Sequence, residues 1–195
     1  APLAVSDSAV RVAVIGKLGW IRRQRATFAQ QPRESRREMV SGESHWYRGR
    51  RYRLRVVEGE GTPRVELRGH QSLILHVRPG STTDQREQLL QRWYRDRLRE
   101  VLPELIENWQ ATLGVNLQTW GIKRMKTKWG SCNDKARRIW LNLELIKKPP
   151  SCLEYVVVHE LIHLRLRKHD RSFLEMMVAT CPRGAAAVPN SMPRH

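Results

Sequence analysis

Residues 159–163 read His-Glu-Leu-Ile-His, with two histidines four positions apart. On a helix this spacing places both imidazoles on one face about one turn apart, where both can bind a single zinc ion. Glu160 follows the first histidine and is placed to act as a general base in metal-assisted hydrolysis. The stretch therefore predicts a helix that carries a metal site.

His169 supplies a third imidazole, at a position where a chain leaving the helix can turn back towards the metal. Three protein ligands leave one position open, as in catalytic rather than structural zinc sites. The sequence thus predicts a Zn²⁺ site with His159, His163 and His169 as metal ligands and Glu160 as the catalytic residue. The alternative is an ordinary helix turn, in which the glutamate is solvated and the histidines are unrelated.

The start of this helix is marked by its flanking residues. Pro149-Pro150 end the preceding segment, and Ser151 with Glu154 matches the S-x-x-E capping box. The apolar run Tyr155–Val158 that follows predicts a buried helix. Burying polar side chains costs free energy unless they are hydrogen-bonded or bind a metal, so the histidines and the glutamate of this helix are expected to be functional. We expect this helix to span residues 151–167.

Hydrophobic periodicity divides the rest of the chain into helices and strands. The predicted elements are a helix over 6–31, strands over 46–58, 65–67 and 73–77, a helix over 83–113, a hairpin of 126–132 with 138–145, and a last helix beginning at Asp170 or Ser172. In the long helix, Pro103 is expected to cause a kink or start a second helix, and Gly114 to end it.

This order of elements predicts an α+β fold with an N-terminal antiparallel β region. Three regions are expected: residues 1–82 with a helix and the β-rich part, residues 83–180 with the catalytic part, and a disordered tail over 181–195. The chain begins with Ala1 rather than Met, as expected of a processed product or a fragment, so the first region is expected to be truncated at its start.

Composition is typical of a globular protein outside the membrane. Of 195 residues 40% are hydrophobic, yet no apolar stretch reaches the roughly 18 residues of a transmembrane helix, and no signal-peptide pattern is visible. Cys132, Cys152 and Cys181 form no C-x-x-C pair, which argues against a disulfide framework or a cysteine-rich zinc site. We therefore expect a cytoplasmic location and no membrane partner.

The formal net charge of +17 allows two interpretations. A basic surface attracts phosphate groups, so nucleic acid or a nucleotide is one expected partner. Alternatively the arginines, which are spread over most of the chain, are simply solvated, and no helix-turn-helix, RRM or zinc-finger pattern is evident. The second interpretation is slightly favoured, and anionic partners stay open.

Several blocks of the sequence resemble the YgjP-like zinc metallopeptidases, relatives of the SprT-like and WLM groups among the zincins. The blocks are Lys126–Cys132, Trp140–Leu145, Pro149-Pro150, and Leu153–His163 with His169. The likeness covers most of residues 10–177, and the W-G-S-C and H-E-x-x-H blocks together are specific. The chain departs from the family after Pro182, where an aromatic-basic segment is missing, and before its start, where the family usually has strands.

The resemblance implies a zincin-like fold with a bound Zn²⁺, the three histidines as ligands and Glu160 as the catalytic glutamate. Some zincins use a downstream glutamate as third ligand, so Glu175 competes with His169, but the distance of His169 from His163 matches the family better.

The resemblance also implies that Trp129, Gly130, Ser131 and Cys132 lie beside the active site and bind substrate. In related zincins a strand edge there pairs with an extended peptide. The alternative interpretation is that Trp129 and Trp140 are core residues and that Gly130 only permits a tight turn.

The expected function is a zinc-dependent metallopeptidase with a peptide or protein as substrate. Two alternatives stay open: a metal-dependent nucleoside-triphosphate pyrophosphohydrolase, and a DNA-associated protease that acts on DNA-bound targets as SprT-like relatives do. No P-loop or acidic metal cluster in the sequence supports the nucleotide alternative.

Overall fold

A computed structural model describes residues 37–180 of the chain. Its elements are β1 (Ser44–Tyr47), β2 (Arg50–Glu58), β3 (Arg64–Arg68), β4 (Ser72–Val77), α1 (Thr83–Leu113), β5 (Thr119–Lys123), β6 (Gly130–Asn133), β7 (Arg138–Asn142), a 3₁₀ helix (Leu143–Lys147), α2 (Pro150–Ile162) and α3 (Arg171–Thr180). The architecture is mixed α+β, as predicted. The helix predicted over 6–31 and the tail over 181–195 lie outside the described residues, and the division at 82 and 83 stays a prediction.

The first sheet has the strand order β1-β2-β4-β3. β1–β2 and β3–β4 are antiparallel pairs, but β2 and β4 run parallel, with Leu54 opposite Leu73. The prediction of an antiparallel region is therefore corrected to a mixed sheet. The physical reason lies in β4, whose run Leu73–Leu75 is almost fully buried, as expected of a strand with partners on both edges. β4 accordingly lies between β2 and β3, although β3 precedes it in the chain.

The long helix α1 confirms the prediction over 83–113. A capping box between Thr82 and Gln85 starts it, and Gly114, in the left-handed conformation with φ +61°, ends it. Pro103 neither divides the helix nor ends it. Pro103 has no N–H to donate to the carbonyl of Arg99, four residues earlier. Because Pro103 lies on the exposed side of the helix, water can hydrogen-bond to that carbonyl instead.

The second sheet has the order β5-β7-β6 and contains the predicted hairpin as β6 and β7. β5, which pairs parallel with β7, was not predicted. Gly121 interrupts its apolar pattern, and the ring of Trp140 explains this glycine: a Cβ there would lie 2.2 Å from Trp140 Cζ3. Trp140 is half-buried, and Lys123 Nζ lies 3.7 Å from its ring centroid.

The start of α2 differs from the predicted capping box. The N-cap is Pro149, no side chain caps the helix, and Pro150 occupies the first turn. A backbone N–H at that position would have no acceptor within the helix, so proline loses no helical hydrogen bond there. Glu154 instead accepts a hydrogen bond from Trp109 Nε1 at 3.2 Å. α2 also ends at Ile162, five residues before the predicted end at 167.

The turn between β1 and β2 packs against the start of α2. The backbone N–H groups of Arg48 and Gly49 donate to the carbonyls of Ile146 and Lys147, at 2.8 and 3.1 Å. Gly49 has φ +78°, and a Cβ there would lie 2.9 Å from Cγ of Pro149. Both the backbone conformation and this close approach therefore require glycine.

Side chains from both sheets, α1 and α2 share one hydrophobic core. Its fully buried members include Leu54, Leu75, Leu98, Ile139, Leu141 and Val157. α2 contributes most of its surface to this core, which fixes the helix that carries the His-Glu-Leu-Ile-His stretch. Within residues 37–180, no helix combines the length and apolarity needed to cross a membrane.

Candidate metal centre

Three imidazoles converge at the end of α2. His159 Nε2 lies 3.2 Å from His163 Nε2 and 3.0 Å from His169 Nε2, and one nitrogen of each ring lies within 4.8 Å of the other two. Ligands of a tetrahedral zinc ion at about 2.0–2.1 Å would be about 3.3 Å apart. The three nitrogens are therefore spaced as one zinc ion requires.

The chain places these rings in two steps. His159 lies in the last turn of α2, and His163 is the residue that ends the helix. The chain then turns, and the carbonyl of Leu166 lies 2.9 Å from Nδ1 of His163. With Nδ1–H donating to this carbonyl, the lone pair of Nε2 is available to a metal. The same turn brings His169 back to the cluster.

Glu175 lies elsewhere. Its carboxylate is exposed and accepts a hydrogen bond from Arg171 Nε at 2.7 Å. Among the described residues, the only group of three or more histidine, cysteine or acidic side chains close enough to hold one ion consists of the three histidines. Imidazole nitrogen suits Zn²⁺, whereas Mg²⁺ prefers oxygen ligands. The donor set therefore fits zinc.

Glu160 points from α2 towards β6 and is 5% exposed. Burial raises the pKa of its carboxyl to about 8, against a smaller lowering by the charge of Lys128. Gly130 provides the space for this carboxylate: a Cβ at Gly130 would lie 2.4 Å from Glu160 Oε1 and 2.6 Å from Cγ. Gly130 is not among the glycines with positive φ. Gly130 is the first residue of β6, and its close contact with Glu160 accounts for the glycine without a tight turn.

A pocket of about 340 Å³ contains the histidine cluster and Glu160. Gly130, Ser131 and Cys132 of β6 line one wall, together with Lys128, and an ion pair between Asp134 and Arg167 lies at its rim. Burial, and then the charge of Glu160, raise the pKa of the Cys132 thiol to about 11, so this thiol stays protonated at neutral pH.

Trp129 is not among the residues that line the pocket. It is half-buried against the hydrophobic core, and Lys148 Nζ lies 5.4 Å from its ring centroid. For Trp129 the structure therefore favours a packing role, while its three successors face the cleft.

Asn142, which the sequence did not single out, fixes the segment before β6. Its side-chain amide donates to the carbonyls of Met125 and Lys128, at 2.9 and 2.8 Å, and its Oδ1 accepts from the N–H groups of Met125 and Glu144. The side chain is buried with all four hydrogen-bonding positions filled. Asn142 thus determines where the chain enters β6 and the pocket.

The chain has detectable similarity to known metallopeptidases. The chain is similar over 43% of its length to a solved structure, the metallopeptidase zymogen abylysin of Pyrococcus abyssi, with 22% identity, a TM-score of 0.40 and 85% of that chain covered. No curated protein matches the chain. The family model described as "YgjP-like, metallopeptidase domain" matches residues 1–188, so the chain belongs to the YgjP-like metallopeptidase family.

Proposed function

We propose that this chain is a zinc-dependent peptidase in which His159, His163 and His169 hold the ion and Glu160 is the general base. The observation that carries the proposal is the convergence of three imidazole nitrogens in a pocket that also contains a buried carboxylate. The family supports a metal-dependent hydrolase of peptide bonds. The donor set supports zinc as the metal.

When bound, the zinc ion supplies Lewis acidity, which lowers the pKa of a water molecule towards about 7 and polarises the scissile carbonyl. Glu160 accepts the proton of the attacking water in its ionised form, which the charge of Lys128 favours and the charge of a bound ion would favour further, and delivers it to the leaving amine. Its burial beneath Gly130 holds the carboxylate in place. The hydrogen bond between His163 and the Leu166 carbonyl orients one of the ligands before the metal arrives.

The edge of β6 is the proposed binding site for the substrate backbone. In the second sheet β6 pairs only with β7 among the described residues, which leaves its other edge available. Gly130, Ser131 and Cys132 on this strand line the pocket. An extended peptide could add to this edge through main-chain hydrogen bonds, with its scissile bond over the histidine cluster.

Lys128 is the proposed contact for negative charge on the substrate. It is exposed and lines the pocket beside Glu160, whose pKa its charge lowers. We expect Lys128→Met to raise KM for acidic casein-derived peptides by roughly tenfold, the size of one partly screened charge–charge contact. A loss confined to kcat would instead reflect the effect of Lys128 on the pKa of Glu160. Lys126→Met is the matched control because Lys126 is exposed and lies outside the pocket. Equal kinetics of the two variants would contradict this role.

The nucleotide alternative has one supporting observation: two cationic side chains, Lys128 and Arg167, line the pocket. Arg167 is, however, already paired with Asp134. Oxygen ligands of the kind that Mg²⁺ prefers form no cluster of three among residues 37–180. Peptide hydrolysis with zinc is therefore the better supported function.

The test is metal analysis of the purified protein together with two assays. We expect about one zinc ion per chain, hydrolysis of casein that a chelator abolishes and added Zn²⁺ restores, and no turnover of nucleoside triphosphates. Protein that retains no zinc, or that hydrolyses triphosphates with Mg²⁺ and leaves casein intact, would refute the proposal.

A further inference from the structure

The ring of Phe173 lies against all three imidazoles. Its centroid is 4.9 Å from that of His159, 4.8 Å from that of His163 and 4.6 Å from that of His169. The rings of His159 and His169 meet it edge-to-face, at interplanar angles of 70° and 73°, whereas that of His163 is tilted by 30°. Phe173 is 2% exposed. The buried ring of Phe173 therefore packs against all three histidine rings at once.

The chain fixes this ring immediately after the third histidine. Asp170 accepts a hydrogen bond from the N–H of Phe173 through Oδ1 at 3.2 Å, and its carbonyl accepts from the N–H of Leu174 at 3.1 Å. These two bonds start α3 one residue after Asp170. His169 and Phe173 thus lie on either side of one helix cap, with their ring centroids 4.6 Å apart.

We propose that Phe173 is a positioning residue that holds the three imidazoles in the arrangement that zinc needs, and that it links the docking of α3 to metal affinity. This proposal rests on the proposed function. An imidazole attached to a short side chain can rotate, and each ring that must be immobilised on binding lowers affinity. A buried aromatic ring in contact with all three removes much of this rotation before the metal binds. Leucine lacks the flat ring that packs against all three imidazoles.

The experiment measures zinc affinity by competition with a chromophoric chelator for the wild type, Phe173→Leu and Met177→Ala. We expect Phe173→Leu to weaken zinc binding by roughly 10–100-fold, as is usual when a residue that orients metal ligands is lost. Met177 lies one turn later in α3, is also buried, at 5% exposed, and carries no ring that could stack on the imidazoles. Its truncation should lower the melting temperature of the metal-free protein at least as much, yet change zinc affinity by less than about twofold.

A second measurement uses the wild-type protein and does not require a variant to fold. Because coupling between two sites is reciprocal, zinc should slow hydrogen exchange of the Phe173 and Leu174 amides in the wild-type protein. Wild-type affinity in Phe173→Leu, equal weakening by Met177→Ala, or unchanged exchange on adding zinc would each overturn the positioning role and leave the peptidase proposal standing. A wild-type protein that binds no zinc would overturn both.

Discussion

Replacing Glu160 by glutamine is expected to leave zinc binding at the wild-type level and to lower peptide hydrolysis by roughly 10²–10⁴-fold, the usual contribution of a positioned general base. Glutamine has almost the same shape, so it should fit beneath Gly130 without altering the histidines. It cannot accept a proton from the attacking water. The loss should therefore fall on kcat, while KM changes little.

The control for this variant is Glu154→Gln, an identical change on the same helix. Glu154 accepts a hydrogen bond from Trp109 and lies outside the catalytic pocket. We expect its zinc content and hydrolysis to stay close to those of the wild type. If Glu160→Gln, with its zinc content confirmed, hydrolysed casein at a rate near that of the wild type, Glu160 would not be the base.

Replacing Gly130 by alanine is expected to lower hydrolysis by roughly 10²-fold or more, because a catalytic group displaced by about 1 Å can lose that much rate. The new methyl group would lie 2.4, 2.6 and 2.8 Å from Oε1, Cγ and Cδ of Glu160. These atoms belong to a buried side chain on a packed helix, so the carboxylate must move away from its position. Zinc content should be retained, since the three heavy atoms nearest to this methyl group belong to Glu160 and not to a histidine.

A double-mutant cycle isolates this contact. Overpacking should lower the free energy of unfolding of Gly130→Ala by about 1–3 kcal/mol. In a Glu160→Ala background the three conflicting atoms are absent, so adding Gly130→Ala should then change stability by less than about 0.5 kcal/mol. Chemical denaturation of the metal-free wild type, the two single variants and the double variant measures the stability change caused by Gly130→Ala in each background. An equal loss in both backgrounds would show that Gly130 is required for another reason.

The metal cluster could be predicted because its information is local. The i, i+4 spacing of His159 and His163 fixes their common face on any helix, and His169 needs only a short turn to return. The contact between Gly130 and Glu160 could not be derived in this way, since it joins residues thirty positions apart. The roles of Asn142 and Phe173 likewise depend on which segments meet in space, and neither residue type is specific to a metal site.

The fold shows the same division between local and distant information. α1 was predicted because its apolar positions recur at helical spacing over 31 residues and Gly114 follows as a stop. β5 was missed because Gly121 breaks its pattern, and the reason for this glycine, the ring of Trp140, lies on another strand. The parallel pairing of β2 with β4 was also missed. Adjacent strands in the sequence suggest hairpins, and nothing local to β3 shows that it is the edge strand.

The contact between the β1–β2 turn and the start of α2 has a consequence for dissecting the molecule. A fragment beginning at residue 83 would lack the amides of Arg48 and Gly49, so the Ile146 and Lys147 carbonyls would lose their donors. Pro149 would lose the surface on which it rests. Separately produced halves should thus recover metal retention only when mixed, since a turn that contributes no ligand anchors the helix that carries two.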